Sequence, residues 1–255
     1  MIQVEEVTKL HELLRHIEIS LEAADGPRWF RGSGDFEHEL LPSLLRHPEV
    51  KNGKIRALDL EARVNARFAQ VSPPFLTLNG SLTEFDKMFV AQHYGVPTRL
   101  LDWSENPFIA LYFALSTSKP DKQACVWVLD PLLWTKESLN NPMLPRIPDP
   151  VDNAAIRFLE SLADQLAPRN DPIAIFANYT NARVVAQRGT FTIFGQGTTP
   201  MEKIPYAKKC LKCYVIDPSV RLELHKKILS IGYTHSVIYP DLSGLGTELK
   251  TSFGF

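Results

Sequence analysis

Little in this chain invites a covalent or metallic staple. Cysteine occurs three times in 255 residues, an odd count that suits a reducing compartment better than a secreted disulfide scaffold. No apolar run approaches the ~20 residues that a membrane-spanning helix needs. The opening Met1-Ile-Gln-Val-Glu-Glu has neither the basic nor the apolar region of a secretory signal. An excess of one charge is missing too: 28 basic against 29 acidic side chains leave a formal charge of −1. That balance argues against an extended nucleic-acid footprint and against a polybasic membrane tether, while leaving a small nucleotide or RNA target open. These absences point to a cytoplasmic protein with no membrane partner. What is present is ordinary globular material, 44% hydrophobic and 22% charged, which excludes a disordered chain. At this length folding removes roughly 70–75% of the unfolded surface from water, enough for a core without staples.

The familiar phosphate signatures are absent as well. Gly32-Ser-Gly34 would need a third glycine at 37, where Glu37 stands, and Gly244-Leu-Gly246 meets Leu249 at the equivalent place. No GxxxxGK[ST] occurs, so neither a dinucleotide fingerprint nor a P-loop is present. The pair Cys210-x-x-Cys213 resembles half a zinc site, but Cys125 and His225, the other available ligands, stand at no recognised spacing. The plainer reading puts Cys213 and Val215 on one face of a strand and Cys210 in the preceding turn, with no metal expected. GxSxG and HExxH are also lacking.

Hydrophobic periodicity predicts an amphipathic helix over 4–24, ending at Asp25-Gly26-Pro27, and a short strand over 28–31. Helices are predicted over 54–71, over 82–93, and after Asn106-Pro107, where asparagine caps and proline suits the first turn. The β-branched, apolar run 125–129 reads as a buried strand. Residues 140–150 contain four prolines and read as a loop. Asp152 caps a predicted helix reaching 166, and another is placed over 173–184. Later strands are expected at 190–194, 212–216 and 235–239, with Asp217-Pro218 and Tyr239-Pro240-Asp241 opening helices. The mixture lacks a βαβ rhythm. It predicts an α+β fold in one domain over 1–255, several helices around short mixed or antiparallel sheets.

Three stretches carry polar groups inside apolar sequence, where each must be hydrogen-bonded or aimed at something. In Trp29-Phe30-Arg31-Gly32 the arginine ends a strand beside glycines that let a ligand approach. Its planar fork suits a diphosphate or carboxylate, and an internal pair with Asp35 or Glu37 is the bland alternative. The run from Gln92 and His93 to Pro107 holds His93, Tyr94, Arg99, Asp102, Trp103 and Glu105, with an Arg99–Asp102 pair as its structural reading. The third, Asn181 to Phe191, sets Gln187 and Arg188 where a helix gives way to a strand.

These stretches together resemble the FRG domain family, named for the motif standing here as Phe30-Arg31-Gly32. The likeness continues through His93-Tyr-Gly-Val-Pro-Thr-Arg-Leu-Leu-Asp-Trp103, Asn106-Pro-Phe-Ile-Ala-Leu-Tyr-Phe-Ala114, Gln187-Arg-Gly-Thr-Phe191 and Tyr239-Pro-Asp-Leu-Ser-Gly-Leu245, over about residues 25–250. The resemblance implies a bacterial or phage origin and a remote likeness to the ADP-ribosyltransferase fold, with NAD as substrate. In that reading Arg31 and Gly32 hold the diphosphate, and Tyr94, Trp103 or Tyr112 stacks on nicotinamide. His93 and Arg99 orient ribose or phosphate, and Gln187 acts with Glu105 or Asp102 at the anomeric carbon. Where such enzymes carry a glutamate, this chain has Gln187, and a neutral amide supplies no charge to a developing cation. The alternatives are a non-catalytic module that binds a nucleotide or protein segment in the same pocket, and a buried network of Arg31, Arg99 and Asp102.

Overall fold

Alternation along the short apolar runs builds one mixed sheet. The structure is a computed structural model that describes residues 2–22, 26–75, 83–152, 155–158, 170–178 and 181–255. Its strands are β1 (Gln3–Val7), β2 (Trp29–Ser33), β3 (Leu100–Ser104), β4 (Ala124–Leu129), β5 (Ile173–Phe176), β6 (Gly189–Ile193) and β7 (Leu211–Ile216). They lie in the order β1-β7-β4-β2-β3-β6-β5. The β1–β7 pair is parallel and every other pair antiparallel. The helices are α1 (Leu10–Glu22), α2 (Pro48–Lys51), α3 (Ala57–Val71), α4 (Glu84–His93), α5 (Pro107–Thr117), α6 (Pro131–Leu139), α7 (Ala182–Gln187), α8 (Ala207–Cys210), α9 (Arg221–Ser230), α10 (His235–Ile238) and α11 (Leu242–Phe253). The chain is therefore α+β, as its pattern predicts. Among the described residues no helix is long and apolar enough to cross a membrane.

Strand β4 shows the two-sided logic. Cys125, Trp127 and Leu129 enter one core, while Ala124, Val126 and Val128 enter the other, as the period of two dictates. The second core is filled by α5, buried at Ile109, Ala110, Leu111, Tyr112, Ala114 and Leu115. Asn106 caps this helix by accepting from the Phe108 amide at 2.9 Å, with Pro107 in its first turn. It lies directly on β2 because a glycine stands in that strand and another just past its end. A Cβ on Gly32 would stand 1.7 Å from the Ala110 carbonyl oxygen, and one on Gly34 would stand 2.4 Å from the Thr117 carbonyl carbon.

Three segments differ from their sequence expectations. Residues 4–24 are not one helix: Gln3–Val7 pairs with β7, and α1 starts only after Glu12 gathers the amides of Thr8 and Lys9. Over 173–184, Ile-Ala-Ile-Phe is a strand against β6, and the helix is confined to α7. A four-residue apolar run reads equally as buried strand or helix until its neighbour is known. Conversely, 235–239 is helical at His235–Ile238 rather than extended. The predicted helix over 152–166 falls mostly outside the described residues, as do Leu82 at the start of 82–93 and Ala24 at the end of the first. Cys213 and Val215 do share a core face, with Cys210 at the end of α8.

Candidate functional site

The sheet is weakest at its centre. Strands β2 and β4 align over five residue pairs, and β3 and β6 likewise over five, but β2 and β3 share only Phe30 opposite Ser104. Beyond that pair the strands part, and a cavity of about 580 Å³ opens along the fork, lined by residues of β2, β3, α4, α5 and α7. That volume is in the range of small-molecule sites. A hollow of about 50 Å³ adjoins it, sharing Gln92, Asp102, Trp103, Arg183 and Gln187 and adding His93.

Arg31 bridges the fork. Its Nη1 donates to the Asp102 carbonyl oxygen at 2.5 Å and stands 3.9 Å from the Asp102 carboxylate, with a quarter of its side chain still open to the cavity. Burial weakens its hold on its proton, and the Asp102 charge opposes that shift; a guanidinium stays charged through both. Asp102 is the one outward residue of an otherwise buried strand, and Gln92 donates to its Oδ2 at 2.9 Å. Gln187 and Arg183 come from α7. The Gln187 amide donates to the Ile238 carbonyl at 3.1 Å, and Ser104 Oγ donates to the Gln187 carbonyl at 2.7 Å, pinning the helix to β3. The Arg183 guanidinium lies 4.8 Å over the Tyr239 ring, a cation–π seat that orients it without neutralising it. His93 is held below its usual pKa, first by burial and then by Arg183, against the pull of Asp241.

At the other end Lys122 is paired with Asp35 and Glu37, 3.1 Å from each, and Lys119 also lines the space. His38 sits at the rim with its Nε2 against the Arg46 guanidinium. Lost hydration, then Arg46 and Arg31, push its pKa down. Because arginine can only donate, a hydrogen bond here requires Nε2 as acceptor on a neutral ring that carries its proton on Nδ1.

Arg31, Gly32, Asp102, Trp103 and Gln187 thus line one cavity, and His93 lines the hollow beside it. The others do not join them. Arg99, expected to orient ribose or phosphate, is 3% exposed, turned the other way and paired with Glu61 at 2.7 Å while donating to the Phe194 carbonyl. The proposed Arg99–Asp102 pair gives way to this buried one, because Glu61 of α3, brought in from 38 residues earlier in the chain, takes the Arg99 guanidinium. Tyr112 is buried in the core with its hydroxyl 2.8 Å from His235 Nδ1, and burial raises its pKa to about 12; no ring is left to stack on a ligand. Tyr94 is 60% exposed and packs edge-on against His93 outside the cavity. Glu105 lies past the end of β3, where its amide donates to the Arg188 carbonyl, and it is not part of the lining. Trp103 belongs to the wall, its Nε1 donating to Thr192 Oγ1 at 3.1 Å. For Gly32 the space a side chain would take is filled by α5 rather than offered to a ligand. Sequence reasoning gave no role to Gln92 and Arg183, although both stand inside the polar stretches, and it passed over His38. Among the described residues no cluster of histidine, cysteine or acid side chains could hold a metal ion.

A family model described as the FRG domain matches residues 26–123, the stretch that supplies Arg31, His38, Gln92 and Asp102. No curated protein and no solved structure matches the chain.

Proposed function

We propose that the FRG domain present in this chain shapes a site for an anionic nucleotide of the NAD class. At that site the chain cleaves the bond between nicotinamide and ribose and passes ADP-ribose to water or a macromolecular acceptor. The observation that carries the reading is the meeting of Arg31 and Asp102, from two different strands, in one cavity of dinucleotide scale. Arg31 and Arg183 offer two guanidinium forks to a diphosphate. Asp102 supplies the negative charge that Gln187 cannot, and it faces the same space. In the reaction the C1′–N bond breaks, nicotinamide leaves with the electron pair, and the acceptor bonds to C1′ and loses a proton. The Asp102 carboxylate stabilises the positive charge that builds on the sugar, a role worth most where water is partly excluded. Gln187, tied to Ile238, keeps the wall of the cavity in place.

The test is calorimetric titration with NAD of the wild type and of Arg31→Ala and Asp102→Asn, with nicotinamide release followed in the same samples. Binding lost in Arg31→Ala, and release lost in Asp102→Asn with binding kept, is the expected pattern. A folded wild type that binds no NAD would sink the proposal. One observation favours a second reading, a sensor that binds without cleaving: Gln187 stands where a catalytic glutamate is expected. Binding with no release in the wild type would select it.

A further inference from the structure

Asp102 is exposed and the strand that carries it is unpaired on one side of the fork, so something else must hold its carboxylate in place. The hydrogen bonds around it form a chain with one possible direction. The Leu100 amide donates to Thr98 Oγ1 at 3.1 Å. Thr98 is fully buried, and its hydroxyl reaches Gln92 Oε1 at 2.6 Å. Gln92 Nε2 then donates to Asp102 Oδ2 at 2.9 Å. A backbone amide can only donate and a carboxylate can only accept. Turning the Gln92 amide over would set its oxygen against the carboxylate, so the two fixed ends dictate the order of every link.

We infer that Gln92 and Thr98 are positioning residues that aim the Asp102 carboxylate at the reacting sugar, an inference that rests on the role proposed for Asp102. Neither touches the ligand in this scheme. Thr98 lies behind the wall, and Gln92 spends its amide on Asp102. Their effect is on geometry, and small losses of alignment at a reacting centre are expensive in rate. The diphosphate contacts of Arg31 and Arg183 do not depend on them.

Thr98→Val keeps the shape of the side chain and removes the hydroxyl. It is expected to lower the maximal rate of nicotinamide release about 10–100-fold while leaving NAD affinity within about twofold. Thr98→Ser, which restores the hydroxyl, is expected to recover the rate. A second readout needs no turnover: the two protons of the Gln92 side-chain amide, assigned by their loss in Gln92→Leu, should be widely separated in a proton–nitrogen spectrum because one of them bonds a carboxylate. They should converge in Thr98→Val and separate again in Thr98→Ser. An unchanged amide pair in Thr98→Val overturns the inference, and so does a parallel fall in affinity and rate that Thr98→Ser does not repair. If the wild type releases no nicotinamide, the catalytic reading fails and the amide pair still decides whether the relay holds Asp102. Should Thr98→Val not fold, Thr98→Ala is the substitute, with loss of rate at retained affinity again expected and a wild-type rate overturning the inference.

Discussion

His38 and Gly32 are each held by one neighbour, and each permits a sharp test. His38 accepts from Arg46 at the rim of the cavity, and its folded pKa lies below the ordinary 6.5. A depressed histidine favours the neutral form on folding, so its contribution is present above pH 6.5 and fades as pH falls through the folded value. Nuclear magnetic resonance of the His38 ring should show a midpoint below 6.5, and Arg46→Ala should move it upward. A midpoint that ignores Arg46 would contradict the assignment of Nε2 as acceptor. Gly32 is constrained by backbone rather than by a movable side chain, since the Cβ of an alanine would fall 1.7 Å from the Ala110 carbonyl. Gly32→Ala should therefore destabilise by about 3 kcal/mol or more, at or beyond the top of the usual overpacking range, read as a drop in urea midpoint. Gly32 is thus a packing device as well as part of the cavity wall, and within Trp29-Phe30-Arg31-Gly32 it is Arg31 that offers the cavity a charged side chain.

Element by element, a buried ion pair joins α3 to the entry of β3. Arg99 and Glu61 are both nearly sealed from solvent and meet at 2.7 Å, with the Arg99 amide also directed at Glu61. Removing one partner leaves the other charged and buried, which typically costs about 3–5 kcal/mol. Arg99→Ala should lower the stability measured by urea unfolding by that order and, on the function proposed above, leave the NAD affinity of the folded fraction unchanged. A selective loss of affinity without loss of stability would return Arg99 to the ligand. Elements that the sequence announced are those whose ends carry local chemistry: Asn106-Pro107 before α5, Thr83 and Asp86 closing a capping box on α4, and Asp241 accepting from the Gly244 amide at the start of α11. Of the elements that it hid, β1, β3, β5 and α10 are four or five residues long, and the strands among them take their form from partners elsewhere in the chain; α6 was hidden too, although Asp130 caps it and Pro131 opens it.

For the molecule as a whole, the segment that matches the FRG domain is not an independent layer of the sheet. Residues 26–123 contain β2 and β3, but β2 is flanked by β4 and β3 by β6, both from later in the chain. The two matched strands share one aligned pair with each other and five with each outside neighbour. Expressed alone, residues 26–123 should lack a cooperative urea transition and a fixed near-ultraviolet dichroism, whereas the full chain should show both. A cooperative transition in the fragment would mean that the fork is tighter than its pairing indicates. The same topology explains the cavity. It opens at the one seam where neighbouring strands are barely paired, and Arg31 spans the gap with a hydrogen bond to the far strand.

From the residues alone came the α+β class, several helix starts, the buried strand at β4, and the three polar stretches that line or approach the fork. Those features rest on near neighbours in sequence, on caps, prolines and the periods of two and 3.6, and so they can be read locally. Which polar side chain faces which space could not be read that way. Arg99 and Asp102 stand three residues apart, yet one is buried against Glu61 of α3 and the other is open to the cavity opposite Arg31. Tyr112 looked like a pocket ring and is a core residue because α5 lies on β2 through Gly32. Side-chain direction depends on register and on the partner brought from elsewhere in the chain, and only the tertiary structure supplies that partner.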